Sequence, residues 1–313
     1  MYIAVRNPFA YLLGNLSLRR TMRAFSPTHI HLFNPFYAAA FYETLRSTSI
    51  PIVYRAGDAP TVHNVFWRAM WRFIRRRAKH FVADSHFIKG ELMASGVDAA
   101  RITVLYAPPP QRVQPPAVEI PPAADRTGVA RFVYVGQLTA AKGVDVLLEA
   151  FRRLQTPEPR PHLLIAGRIS DWSGDDWART LRDRALADPE IGDRVHFLGL
   201  VENAPELIRR CDVHIAPSIR EEAYGLVVVE AKSAARPSII FRNGGMTELV
   251  EDGVDGAVLS EKTTESLALA MRLYAERPEL VEIHGHAALV SMQKLGLTSF
   301  ARSWKEIYEG ASA

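Results

Sequence analysis

The sequence predicts an α/β protein built from two Rossmann-like domains, and three observations carry that reading. Short apolar strands alternate with amphipathic helical stretches along most of the chain, the grammar of parallel, doubly wound sheets. Seven of the twenty prolines fall in PPPQRVQPPAVEIPP at residues 108–122, which can neither form a helix nor donate a full strand ladder and so reads as a linker. At 313 residues the chain also exceeds what one hydrophobic core usually supports. The expected division is a domain at 1–107, a linker at 108–128, a second domain at 129–290 and a closing helix at 291–313.

Taken in order, the first domain shows strands at THIHLF (28–33), IPIVYR (50–55), HFVADS (80–85) and RITVLY (101–106), with MYIAVR at residues 1–6 as a fifth. His29 and His31 alternate with Ile30 and Leu32, so one face of that strand is expected to pack beneath a helix. Residues 66–78 form a helix with Trp67, Met70, Trp71, Ile74 and Ala78 on one face and Arg68, Arg72, Arg75, Arg76 and Lys79 largely opposite. The second domain reads as strands RFVYVG, HLLIAG, RVHFL, DVHIAPS, PSIIF and GAVL with helices between them. Among these helices are GVDVLLEAF after the first strand and GLVVVEAKSAA after the fourth.

Composition narrows the function classes. The net charge of +4 is mild, and the basicity is concentrated in WRAMWRFIRRRAKH at residues 67–80. Two readings of that helix stand: a core-packed helix with a solvated basic face, or a peripheral membrane contact through Trp67, Arg68, Trp71, Arg72, Arg75 and Arg76. No RNA- or DNA-binding motif surrounds the arginines, so nucleic acid is not an expected partner. The single cysteine, Cys211, forms no internal disulfide and fits a reducing compartment. No apolar run approaches the length of about 20 residues that spans a bilayer, and the N-terminus lacks the order of a signal peptide. A cytoplasmic protein is expected, at the inner face of a membrane under the second reading of the basic helix. No Asp-x-Asp sequence and no zinc-like spacing of His and Cys is present, so no metal is expected. The glycines from Gly136 to Gly143 lack the Gly-Lys-Ser/Thr ending of a Walker loop, and no GxGxxG opens a helix, so no nicotinamide or other cofactor is expected.

The chemistry concentrates at strand-to-helix junctions of the second domain. In PSIREEAYGLVVVEA (217–231), Glu222 lies in the loop after a buried strand and Glu230 lies two turns into the following helix, seven residues intervening. In open α/β sheets ligands bind outside the carboxyl ends of the strands, where helix N-termini offer unpaired N–H groups to phosphates. Lys142 stands in the loop after RFVYVG, just before the next helix, so its ammonium and that helix N-terminus converge on one anion. Gly136 and Gly143 permit close backbone approach.

The Glu-x7-Glu pair, with Gly225 after an aromatic, resembles the donor motif of retaining glycosyltransferase family 4, the glycosyl transferases of group 1. Three further stretches agree in the family's order: YVGQLTAAKGVDVLLEAF (134–151), RVHFLGLV (194–201) and NGGMTELVEDGVDGAVL (243–259). The resemblance implies the GT-B fold, two Rossmann-like domains, with FARSWKEIYEG (300–310) as the helix that crosses back to the first. It implies that Glu222 accepts hydrogen bonds from the donor sugar and that Glu230 holds the ribose diol of the nucleotide. Lys142 would meet the diphosphate, and Gly136, Gln137, Gly225 and Leu226 would line the donor site. The family commonly has arginine where this chain has Gln137, and Arg168 is the candidate to compensate. Family members often carry His-Asp after the second strand seen here; this chain has Gly57 and Asp58, so of that pair only Asp58 is carried over, and Lys142, Glu222 and Asp58 are the expected catalytic residues. His63 is a weaker loop candidate.

Because the chain opens close to the segment PTHIHLFNP, the first domain is expected to be an incomplete acceptor-side domain. The resulting expectation is a metal-independent, hexosyltransferase-like retaining enzyme. It would move sugar from a nucleotide donor to a glycan or lipid-linked acceptor in surface polysaccharide or glycolipid assembly. Two alternatives stand beside it: a non-catalytic sugar-nucleotide-binding remnant, and a nucleotide-sugar epimerase or hydrolase of the same fold.

Overall fold

The structure is a computed structural model that describes residues 7–60, 62–109, 118–168 and 176–312; the strand expected at residues 1–6 lies outside them. Two units divide the chain. The first comprises Met1–Ala107 with Leu297–Ala313, and the second comprises Pro108–Gly296.

In the first unit, α1 (Pro8–Phe25) precedes β1 (Ile30–Leu32), α2 (Pro35–Ala40) and α3 (Tyr42–Ser47). There follow β2 (Ile52–Ala56), α4 (Val65–Arg77), β3 (Ala78–Ala83), α5 (His86–Ala94) and β4 (Ile102–Val104). The four strands are parallel and lie in chain order, β1-β2-β3-β4. Asparagine starts three of the helices: Asn7 accepts from the amide of Ala10, Asn34 from that of Phe36 and Asn64 from that of Trp67, each satisfying a first-turn N–H.

Helix α4 packs the apolar face of the basic segment into the core. Met70, Trp71 and Ile74 are buried, and Trp71 packs edge-on against Tyr54 of β2 and Phe81 of β3. Trp71, expected as a membrane contact, is only 6% exposed and belongs to the core, because aromatic side chains on two strands cover it. Arg75 is also engaged, donating to the carbonyls of Ser95 at 3.1 Å and Gly96 at 3.3 Å. Arg68, Arg72 and Arg76 form the exposed stripe, with Trp67 half-buried. The opposite face of the sheet is covered by α12 (Leu297–Ser312), whose Ile307 and Ala311 pack on Val53 and Val82 beside Trp304 and Tyr308.

The second unit is a six-stranded parallel sheet. Its elements are β5 (Arg131–Val135), α6 (Val144–Arg152), β6 (His162–Ala166), α7 (Trp177–Ala187), β7 (Val195–Gly199) and α8 (Ala204–Arg209). After these come β8 (Val213–Ala216), α9 (Leu226–Ser233), β9 (Ser238–Phe241), β10 (Gly256–Leu259), α10 (Thr264–Glu276) and α11 (Glu279–Met292). The spatial order is β10-β9-β8-β5-β6-β7. Strands after β5 build outward on one side and strands from β8 on the other, so the order reverses between β5 and β8. Strands buried on both faces read as near-continuous apolar runs, as HLLIA, VHIA and SIIF do.

The proline-rich segment is not a linker throughout. Ile120 and Ala124 are buried in a core cluster with Val133, Leu164, Leu207, Ile208 and Cys211, so residues 118–124 belong to the second unit. Cys211 itself is fully buried, and burial pushes its thiol up to about 12. At the amino ends of β6 and β7, His162 and His196 stack with ring planes 2° apart and share a 2.8 Å hydrogen bond. Burial first, then His196 and Arg194, hold His162 down to about 4, so it is neutral in the fold.

Two outcomes are expected. Ala235, directly after the C-cap of α9, has φ of +55°, a left-handed conformation that a Cβ disfavours. Ala235→Gly should raise the unfolding free energy by about 1 kcal/mol, measured by denaturant titration. His162, whose folded pKa lies below the unfolded 6.5, contributes stability that is complete above pH 6.5 and is lost as the pH falls toward about 4. The stability of His162→Gln should depend less steeply on pH in that window.

Candidate functional site

The carboxyl ends of β5 and β8 bring two of the sequence-predicted residues of the second unit, Lys142 and Glu222, into contact. After β5 the chain passes through Gly136 and Gln137 to a 3-10 turn, Ala140–Lys142, and then to α6. Gly143 has φ of +69°, and a Cβ there would stand 2.0 Å from the backbone oxygen of Pro217. Only glycine lets the turn lie this close to the end of β8. The contact is fixed from the other side, where the amides of Ile219 and Arg220 both donate to the carbonyl of Ala141, at 3.0 and 3.1 Å.

This docking places Lys142 beside Glu222. The ammonium donates to Glu222 Oε1 at 2.6 Å, and the same oxygen accepts from Ser218 Oγ at 2.7 Å. Both side chains remain partly accessible, Lys142 at 35% and Glu222 at 20%. Beneath them, Tyr134 is buried and donates to the carbonyl of Gln137 at 2.7 Å; burial, and secondarily the Glu222 charge, hold its phenol protonated. The pair sits where the strand order reverses, the place at which open α/β sheets bind ligands.

The loop after β9 closes the same site. Gly244 has φ of +50°, and a Cβ there would meet the backbone oxygen of Glu222 at 2.4 Å; that oxygen accepts from the amide of Gly245 at 2.8 Å. Asn243 is 1% exposed, and its side-chain amide donates to the carbonyls of Ser218 and Arg220, at 2.5 and 2.6 Å. In the sequence the only signal for this role of Asn243 is its place before two glycines. Gly225, φ of +103°, packs against Met246 and starts α9, leaving Leu226 exposed in the first turn. Glu230 lies half-buried on α9. Two residues on, Lys232 and Asp255 form an ion pair of 2.7 Å with both side chains 5% exposed, and Lys232 also donates to the carbonyl of Leu249. Burying an ion pair is costly unless its remaining donors and acceptors are satisfied; here Asp255 also accepts from the amide of Glu251 at 2.9 Å. The pair thereby ties α9 to the loop after β9.

Gln137 and Arg168 are both exposed, after β5 and β6. Arg168 lines a cavity of about 380 Å³ with Leu138, Ile165, Phe197, Leu198 and Arg182. Asp58 belongs to the first unit, exposed in the loop after β2. Also there, Arg55 donates to both carboxylate oxygens of Asp84 at 2.8 and 3.1 Å, and a Cβ on Gly57 would come within 3.4 Å of that carboxylate. His63 is exposed.

The sequence matches two family profiles: glycosyl transferases group 1 over residues 120–288, and Glycosyltransferase Family 4 over residues 2–108. A D-inositol 3-phosphate glycosyltransferase of Streptomyces griseus subsp. griseus is 30% identical over 183 residues, covering 57% of this chain and 39% of that protein. A glycogen synthase of Mycobacterium tuberculosis is 32% identical over 165 residues, covering 52% and 38%. The chain thus spans well under half the length of both relatives. Among solved structures, Anabaena Alr3699/HepE in complex with UDP superposes with a TM-score of 0.79 at 18% identity, covering 95% of this chain and 82% of that one. A glycosyltransferase from Rickettsia africae gives 0.80 at 19% identity, covering 97% and 82%. The parallel α/β units are those of the GT-B fold.

The close approach at Gly143 makes its own prediction. Gly143→Ala combines a disfavoured φ with a backbone clash, so it should lower the unfolding free energy by about 2 kcal/mol or more in denaturant titration.

Proposed function

Because the chain belongs to the glycosyl transferases group 1 family, we propose that its second unit binds a nucleotide sugar and serves retaining sugar transfer to a glycan or lipid-linked acceptor. The observation that carries this reading is the contact of Lys142 with Glu222 at the reversal point between β5 and β8. Breaking a bond from the sugar's anomeric carbon to a diphosphate leaves negative charge on the departing phosphate oxygens. Lys142, the N-terminus of α6 and the N-terminus of α9 meet that charge with one ammonium and two sets of unpaired N–H groups. Glu222 accepts from sugar hydroxyls and Glu230 from the ribose diol, since an ionised carboxylate accepts from two hydroxyls at once. The cavity beside Arg168 suits the base, with apolar walls at Leu138, Ile165 and Phe197. Arg168 supplies the second positive charge that Gln137 does not.

In this reading charge stabilisation comes from the chain's own cation and helix ends, and no metal is needed. A hexose donor and a role in surface polysaccharide or glycolipid assembly complete the proposal, with Asp58 serving on the acceptor side. The structural relative named for UDP supports a nucleotide donor.

Thermal unfolding with UDP-, GDP-, ADP- and TDP-sugars tests the donor site. A donor at about 100 times its dissociation constant adds roughly 2.7 kcal/mol of stability, and the shift should be selective for one base and lost in Glu230→Ala. No shift with any donor overturns the reading. Lys142→Ala and Glu222→Ala should each lower turnover by an amount equivalent to about 3 kcal/mol, measured as release of nucleoside diphosphate. A donor shift without turnover would favour the binding remnant, and donor consumption unaffected by acceptors would favour a hydrolase or epimerase.

A further inference from the structure

The cavity beside Arg168 carries polar side chains of one kind only. It opens where β5, β6 and β7 end, with a volume of about 380 Å³. Its described lining is leucine, isoleucine, phenylalanine and glycine, except for Arg168 in the loop after β6 and Arg182 on α7. Both arginines donate hydrogen bonds and neither can accept one. Among the described residues, no side chain lining this cavity is an acceptor. Its backbone adds little acceptance: the carbonyl of Gly199 already receives the amide of Gly167 at 2.7 Å, and that of Arg168 receives the amide of Leu138 at 3.4 Å.

Arg182 is held in place without being used up. Its side chain is 36% exposed, and the neighbouring Asp183 accepts through one oxygen from Nε at 2.9 Å and Nη2 at 2.8 Å. That contact orients the planar guanidinium and leaves donors on its far side. With Arg168 assigned to the diphosphate, Arg182 is the cation that remains for a ring lying in the cavity.

A donor-only wall discriminates among nucleobases. Uracil, thymine and guanine present a ring carbonyl at the 4- or 6-position, whereas cytosine and adenine present an amino group there. A guanidinium pairs with the carbonyl, as it does with guanine O6. Against an amino group it sets donor to donor, and a base lying in the cavity would leave both groups without a partner. Apolar walls at Ile165 and Phe197 sharpen the contrast, because water cannot easily reach in to satisfy them.

We propose that Arg182 selects the base of the donor, donating to O4 of a uracil or thymine or to O6 of a guanine, so that the chain takes oxo-base nucleotides and rejects cytosine and adenine. The assignment rests on the nucleotide-sugar reading of this site and names the base class within it. It gives a role to a residue of α7 that no motif in the sequence marks.

Calorimetric titration of the full chain with two matched pairs tests the assignment: UDP against CDP, and inosine diphosphate against ADP. In whichever pair binds more tightly, the oxo member should be favoured by at least about tenfold, the scale of one charge-assisted hydrogen bond. Arg182→Ala should bring the two members within about threefold by weakening the oxo member alone. Its thermal midpoint without nucleotide should stay at the wild-type value, since the side chain is partly exposed and its one ion pair is a surface one. Arg182→Lys, which keeps a donor, should retain part of the preference. If the amino member binds as well as its oxo partner, the assignment is overturned while the donor-site reading stands. A preference that survives unchanged in Arg182→Ala overturns it in the same way. If none of the four nucleotides binds, the donor-site reading fails and the assignment falls with it.

Discussion

One carbonyl oxygen, that of Ala141, receives two backbone amides from the loop after β8, and the arrangement of the second unit's site follows from it. The contact requires the turn before α6 and the end of β8 to approach closer than any side chain at position 143 would allow, which is why a glycine with positive φ stands there. With backbone locked to backbone, Lys142 and Glu222 reach one another without either needing a long search of rotamers. The loop after β9 then closes on Glu222 through its own glycine and through Asn243, so that three connections from different strands form one rigid rim.

A rim built this way suits a site whose chemistry is positional. It sets one ammonium and one carboxylate in contact beside the N-termini of α6 and α9, at a reversal in strand order. The first unit is organised differently. Its strands run in simple order, and their carboxyl ends hold a bidentate Arg55–Asp84 pair where the family's histidine position is occupied by Gly57.

Much of this was legible in the sequence, for a physical reason. Parallel strands buried on both faces announce themselves as apolar runs, so the strands of the second unit were visible one by one, and the Glu-x7-Glu spacing marked the junction after β8. Contacts between distant segments were not visible. Nothing local ties Lys142 to Glu222, eighty positions on, and Asn243 reads as an ordinary loop residue until its partners at 218 and 220 are known. Helix α4 shows the limit most plainly. Its apolar face was evident, but whether protein or lipid covered that face was decided by Tyr54 and Phe81, on other elements. Helix α1 has only a local signal, Asn7 followed by Pro8 as a helix start.

The fate of Cys211 has a practical corollary. As the chain's only thiol, fully enclosed and with its pKa raised to about 12, it presents almost no thiolate at neutral pH. This chain is thus a silent background for thiol reagents. A cysteine introduced at an exposed position such as Leu12 on α1 or Leu226 on α9 would react alone, so a fluorophore or spin label could report on one helix at a time without any thiol first being removed.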